Sequence, residues 1–71
     1  MADFRLWDGW DYMPGRFATF DDAEREAKAA IDEFWKGPID IRKRGVKDSV
    51  AVVRRDALDR IWTDVMNGAV A

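Results

Sequence analysis

The side chains able to do chemistry in this sequence are nearly all carboxylates, guanidiniums and amines. Histidine and cysteine are both absent. That removes the commonest general base, the usual zinc ligands and the most nucleophilic side chain. Four hydroxyls occur, on Tyr12, Thr19, Ser49 and Thr63. Ser49 has only Lys47 and Asp48 near it in sequence as bases, and Thr19 is placed to cap a helix. The densest acidic group is Asp21, Asp22, Glu24 and Glu26. Its residue types permit paired-carboxylate or Mg²⁺ chemistry. The same charges at the start of a helix are stabilised by the positive end of its dipole, which accounts for their clustering. Glycines 9, 15, 37, 45 and 68 stand alone, so no glycine-rich phosphate loop is present. A chain of 71 residues also has little volume for a pocket that buries a substrate. The expectation is a protein that is not an enzyme and needs no cofactor and no metal.

Binding is what remains, and charge distribution indicates where. The net charge of −2 hides a strong asymmetry. Residues 1–40 hold ten acids against five bases, residues 41–55 hold Asp48 against six bases, and residues 56–71 hold three acids against Arg60. An acidic body therefore carries one basic segment. Three candidate partner-binding surfaces follow. The first is basic: Arg42, Lys43, Arg44, Lys47 and Arg54, which suit phosphates or an acidic protein surface. Charge on an exposed strand also deters sheet aggregation, the purely structural account of the same residues. The second is acidic, centred on Asp22, Glu26 and Glu33, and suits a cationic channel on another protein. The third is aromatic: Trp10 and Tyr12 beside Asp11, residue types that anchor interfaces.

Several elements must position these residues. Phe20, Ala23, Ala27, Ala30, Ile31 and Phe34 make the apolar stripe of one long helix over residues 19–36. Thr19 or Asp21 caps its start, and Gly37-Pro38 ends it. Before it, Asp8-Gly9 between short aromatic runs predicts a hairpin in residues 3–13. In that hairpin Trp7 faces Trp10 and Arg5 faces Tyr12, with the tryptophan face turned inward; the other packing puts Phe4, Leu6 and Met13 inward and leaves Trp7, Trp10 and Tyr12 partly exposed, and a single strand from Phe4 to Trp7 followed by a loop is the looser alternative. After the helix, residues 38–44 and 49–54 alternate as a second hairpin with Val50 and Val52 inward and a basic solvent face. Asp56, as N-cap, starts a short C-terminal helix with Leu58, Ile61, Trp62, Val65 and Met66 as its stripe, closed by Asn67-Gly68, with residues 69–71 as tail. The expected fold is α+β: a small antiparallel sheet of two hairpins on one long helix, in the order β-β-α-β-β-α, as a single compact domain over residues 1–71.

Such a chain has a narrow stability margin. No disulfide can staple it, so dense packing of four tryptophans, four phenylalanines and Tyr12 must serve, or dimerisation. No apolar stretch approaches the roughly 20 residues of a membrane-spanning helix. The start, MADFRLWDGW, lacks the basic and apolar regions of a secretory signal, which makes the cytoplasm the default location. In size, in a Met1 start, in the lack of catalytic residues and in charged faces around a helix-on-sheet core, the chain resembles the small anti-CRISPR proteins of phages and mobile elements. The resemblance is one of size and character, and no motif carries a residue across. It implies a stoichiometric inhibitor acting in a bacterial cytoplasm on a protein or ribonucleoprotein complex that handles nucleic acid, such as a CRISPR-Cas effector. The basic segment departs from a pure DNA mimic. The leading expectation is thus a non-enzymatic protein that occludes a nucleic-acid-handling partner. The alternative is a small nucleic-acid-binding or regulatory protein using the basic hairpin 42–55. A third reading is a homodimer held by the aromatic hairpin.

Overall fold

The computed structural model describes residues 3–66. Its elements are β1 (Phe4–Trp7), α1 (Phe20–Glu33), β2 (Ile39–Lys43), β3 (Ala51–Arg55) and β4 (Ile61–Val65). The strands form one sheet in the order β1-β2-β3-β4, every neighbouring pair antiparallel. The class is α+β, with the helix on one face of the sheet.

Helix α1 forms where the stripe predicts. Thr19 is the N-cap, its Oγ1 accepting the Asp22 N–H at 3.1 Å. Ala23, Ala27, Ala30 and Ile31 are buried against the sheet. The alanines let the helix backbone approach the strands closely, and Leu6, Ile39, Ile41, Ala51 and Val53 fill the layer between. The helix stops at Glu33, short of Gly37, and Phe34 lies 66% exposed instead of in the core. Trp35 takes its place, packing on the core and donating its indole N–H to the Pro38 carbonyl at 3.3 Å. The last turn of α1 has no basic residue of its own. Arg55 supplies one from β3, donating to the Ile31 carbonyl at 3.0 Å and pairing with Asp59 at 3.0 Å.

The amino-terminal hairpin departs from expectation. Asp8 and Gly9 do not make a two-residue turn. The Asp8 carboxylate accepts the N–H groups of both Trp10 and Asp11 at 2.8 Å, which stretches the loop so that Trp7 bridges to Tyr12. Trp10 is left at the loop tip, 90% exposed. The chain then passes Pro14-Gly15 and rejoins β1 in an isolated bridge between Phe17 and Phe4. The inward residues are Phe4 and Leu6, whereas Trp7 and Tyr12 lie on the helix-free side. Phe4 and Leu6 fill the space under the helix, and the Trp7 and Tyr12 rings pack edge to face with 4.9 Å between their centres. The looser alternative, a lone strand followed by a loop, describes this region.

Strands β2 and β3 make the expected basic hairpin, with one change of face. Val50 donates to the Ile41 carbonyl at 2.8 Å, while Ala51 is the ladder partner of Ile41. Two residues thus oppose one, a bulge that turns both Val50 and Ala51 inward. The phase shift sends Val53 to the core and Val52 to the opposite face beside Asp40.

The predicted C-terminal helix is absent: residues 61–65 form β4. Asp56 does accept nearby N–H groups, those of Leu58 and Arg60 at 2.9 Å, but within a chain reversal. Asp56 N–H bonds the Arg60 carbonyl at 2.8 Å and Asp59 has φ +64°. These are the marks of a three-residue hairpin loop with a left-handed last residue. A capping aspartate looks the same in sequence whichever way the chain turns next. Ile61, Thr63 and Val65 are β-branched, and pairing them with β3 satisfies a strand edge that a helix would leave open. Residues 67–71, read above as a helix end and tail, lie outside the described residues.

Candidate anion-binding face

The alternation of each strand decides what the helix-free face displays. Residues Phe4, Leu6, Ile39, Ile41, Ala51 and Val53 point to the helix, so Arg5, Trp7, Asp40, Arg42, Val52, Arg54, Trp62 and Asp64 point away. No described element covers this second face. Trp7, Asp40, Val52 and Asp64 form one row across the sheet, with Arg5 and Arg42 directly opposite one another in the row beside it. Arg54 and Trp62 are partners on the other flank.

The two carboxylates are engaged. Asp40 accepts the Ser49 hydroxyl at 2.7 Å, and Asp64 lies 3.9 Å from the Arg54 guanidinium. Arg54 also sits 5.6 Å from the centre of the Trp62 ring. The guanidiniums of β1 and β2 are not matched in this way. Among the described residues neither Arg5 nor Arg42 has a carboxylate partner. Arg5 lies over the Tyr12 ring, 4.1 Å from its centre, and its Nε is buried without a hydrogen-bond acceptor. Arg42 donates to the Lys47 carbonyl at 2.7 Å. Like charges opposite each other on paired strands repel, so the fold holds this pair at a cost that an anion would relieve.

The pair opens into a groove of about 340 Å³ where β1, β2 and the β2–β3 turn meet. Arg5, Arg16, Arg42, Lys43 and Arg44 line it, with Asp3 as the one acid and Tyr12 as the aromatic wall. Asp3 lies 3.5 Å from Arg16, which leaves four cations unmatched. Gly45, at φ +81°, makes the tight turn that brings Arg44 round to the groove. A second depression, of about 450 Å³, lies beside Phe34 and Trp35. It mixes Asp32 and Glu33 with Lys36 and Arg55 and has no dominant sign. Charge, rather than size, distinguishes the first.

Of the residues predicted from sequence, Arg42, Lys43, Arg44 and Tyr12 come together in the groove. Arg54 shares the face but stands on its other flank, and Lys47 is exposed without lining the groove. Trp10 and Asp11 sit in the exposed loop, where Asp11 accepts the Tyr12 N–H at 2.8 Å. Asp22, Glu26 and Glu33 belong to α1, on the other side of the molecule from the open face, and Asp22 pairs with Arg25 at 3.2 Å. The sequence alone did not single out Arg16 or Trp62 as surface-forming residues, left open whether Trp7 faces in or out, and treated Arg5 only as a local neighbour of Tyr12. The signal for Arg5 lay in its alternation with Phe4 and Leu6. Its partner strand, however, comes only after the whole helix.

Among the described residues, Asp56 is the one group held clearly below the ordinary aspartate range. The Arg60 backbone N–H is the largest cause; desolvation opposes it, and the Leu58 N–H and the Arg60 guanidinium lower it further. It serves the β3–β4 turn, away from the groove. Among the described residues no group of three or more acidic side chains is arranged to hold a metal ion. No helix among them is long and apolar enough to cross a membrane. No family model, curated protein or solved structure matches the chain.

Proposed function

We propose that the protein is a non-enzymatic binding module that holds single-stranded nucleic acid on the helix-free face of its sheet, with phosphates seated in the groove where β1, β2 and the β2–β3 turn meet. The observation that carries this reading is the unneutralised Arg5–Arg42 pair, extended by Lys43 and Arg44, in a chain whose net charge is negative. An acidic protein that gathers its unmatched cations in one groove has a local preference for anions despite its total. The aromatic side chains favour a single strand. Trp7, Tyr12 and Trp62 lie on the same face, Tyr12 38% and Trp62 41% exposed, so an unstacked base can lie against Trp62 or extend the Arg5–Tyr12 stack while the remaining groove cations contact phosphate. Four strands at about 4.8 Å spacing give a face roughly 14 Å wide, enough to span more than one nucleotide. Fluorescence anisotropy with a labelled single-stranded oligonucleotide, titrated at two salt concentrations, tests it. Binding that weakens steeply with salt is expected; binding that is absent at low salt refutes it.

A second reading rests on a different surface. The exposed side of α1 presents Asp21, Glu26, Asp32 and Glu33, and Glu24 and Asp22 are only partly offset by Lys28 and Arg25. Such a row suits a cationic channel on a protein that handles nucleic acid. This is the occluding inhibitor that the anti-CRISPR resemblance implies. Reversing Glu26 and Glu33 would then abolish partner capture and leave oligonucleotide binding intact.

A further inference from the structure

Among the described residues, one margin of the sheet is covered and the other is not. Beside β1, Phe4 and Phe17 exchange two backbone hydrogen bonds at 2.8 and 2.9 Å, and Met13 donates to the Leu6 carbonyl at 2.8 Å. Strand β4 has no such neighbour among the described residues. Its hydrogen-bonding phase follows from its ends. Met66 donates to the Val50 carbonyl at 2.9 Å and Asp56 to the Arg60 carbonyl at 2.8 Å. Residues 60, 62, 64 and 66 therefore turn their backbone groups towards β3. Ile61, Thr63 and Val65 turn theirs outward.

Natural edge strands are usually guarded by lysine, proline, a bulge or a covering loop. Ile61-Trp62-Thr63-Asp64-Val65 contains neither lysine nor proline, and its register with β3 runs without a break. Trp62 is 41% and Val65 49% exposed, and Leu58 on the turn before them is 71% exposed. The Thr63 hydroxyl is buried without a hydrogen-bond partner. We propose that β4 pairs antiparallel with β4 of a second copy of the chain, about a twofold axis beside Thr63, to give one continuous eight-stranded sheet.

The strand itself argues for a second copy as the occupant. Thr63 is its middle residue, so a twofold axis there sets Thr63 opposite Thr63 and Ile61 opposite Val65. Every outward N–H then meets an outward C=O, because the open residues are symmetric about that centre. The facing pairs are threonine with threonine and β-branched with β-branched, combinations that stabilise antiparallel neighbours. On the open face, Trp62 of each copy stands across from Asp64 of the other. The indole N–H, unpartnered among the described residues, thereby gains a carboxylate acceptor. Both helices stay on one face, and the two cationic grooves come to lie at opposite ends of the other.

Sedimentation equilibrium on the full chain tests this, with two variants. Thr63→Pro removes an outward N–H that the protomer does not use, at an edge position where proline is tolerated. Val65→Lys adds an edge charge. The unaltered protein is expected at twice its 8.2 kDa protomer mass. Both variants are expected at half the mass of the unaltered protein, with unchanged circular dichroism. Slowed amide exchange at Thr63 and Val65 in the unaltered protein should be lost in Val65→Lys. If Thr63→Pro fails to fold, Val65→Lys decides alone. A monomeric unaltered protein at high micromolar concentration would overturn the proposal, as would a dimer that persists in Val65→Lys. A monomer with slow exchange at Thr63 would show that the chain covers its own edge, which also overturns it.

Discussion

Replacing Arg44 by alanine isolates the electrostatic part of the proposed function. Arg44 is exposed at the β2–β3 turn and lines the groove, and its side chain makes no hydrogen bond or ion pair among the described residues, so the fold does not depend on it. Of the five groove cations, Arg16 is matched by Asp3, leaving four to meet phosphates. Counterion release from a single strand contributes a slope of about −0.7 per phosphate contact in a plot of log K against log salt. Four contacts give a slope of about −2.8, or roughly a 50-fold loss of affinity between about 50 and about 200 mM salt. Without Arg44 the slope should flatten to about −2.1, with affinity near 100 mM salt lower by about fivefold. The assay is anisotropy of a labelled single-stranded oligonucleotide across a salt series. Lys28→Ala on the helix, which removes a cation partnered by Glu24, is the control and should leave the slope unchanged. Equal effects of the two variants, or a slope that Arg44→Ala does not move, would refute the assignment of phosphate contacts to this groove.

Other outcomes concern the framework that holds the face. Ile41 is fully buried between the helix and the sheet, so Ile41→Ala should cost about 2–5 kcal/mol in urea denaturation. A chain of this size has a total of roughly 4–10 kcal/mol to lose, so a substantial unfolded fraction is expected at 37 °C. Ala27→Leu should cost about 1–3 kcal/mol by overpacking, because Ala27 sits with no exposed surface where the helix approaches the strands. Asp56→Ala should lower the thermal midpoint by removing the acceptor of the Leu58 and Arg60 N–H groups. Because the folded pKa of Asp56 lies below its ordinary value, its contribution is complete above about pH 4 and fades as the pH falls through the folded value. The gap between Asp56→Ala and the unaltered protein should therefore close in acid, and a gap constant down to pH 2 would contradict the turn geometry.

The amphipathic helix was legible in the sequence because its signal is local. Its stripe, its Thr19 cap and its small-residue face all lie within one stretch of chain, and each imposes the same periodicity. The basic hairpin was legible in part: alternation in residues 39–43 separates the two sides of β2, but the bulge at Val50 and Ala51 puts Val52, expected inward, on the opposite face. The C-terminal segment was not. Leu58, Ile61, Trp62 and Val65 satisfy a helical spacing, and Ile61, Thr63 and Val65 satisfy a strand spacing. Only the open edge of β3, formed by distant residues, decides between them. The amino-terminal aromatics were ambiguous in the same way: Asp8 can shape a short turn or a longer loop, and space under the helix settles which rings go inward.

Residue types and spacing alone determined one helix on a small antiparallel sheet, a chain without histidine or cysteine chemistry, and a basic segment on an acidic body. Only the tertiary structure decided that Arg5 lies opposite Arg42, that Arg16 joins them, and that the acids of α1 lie on the far side. Strand pairing joins residues separated by the whole of α1, and each side chain's face depends on a register no local pattern encodes. The groove is a property of that register.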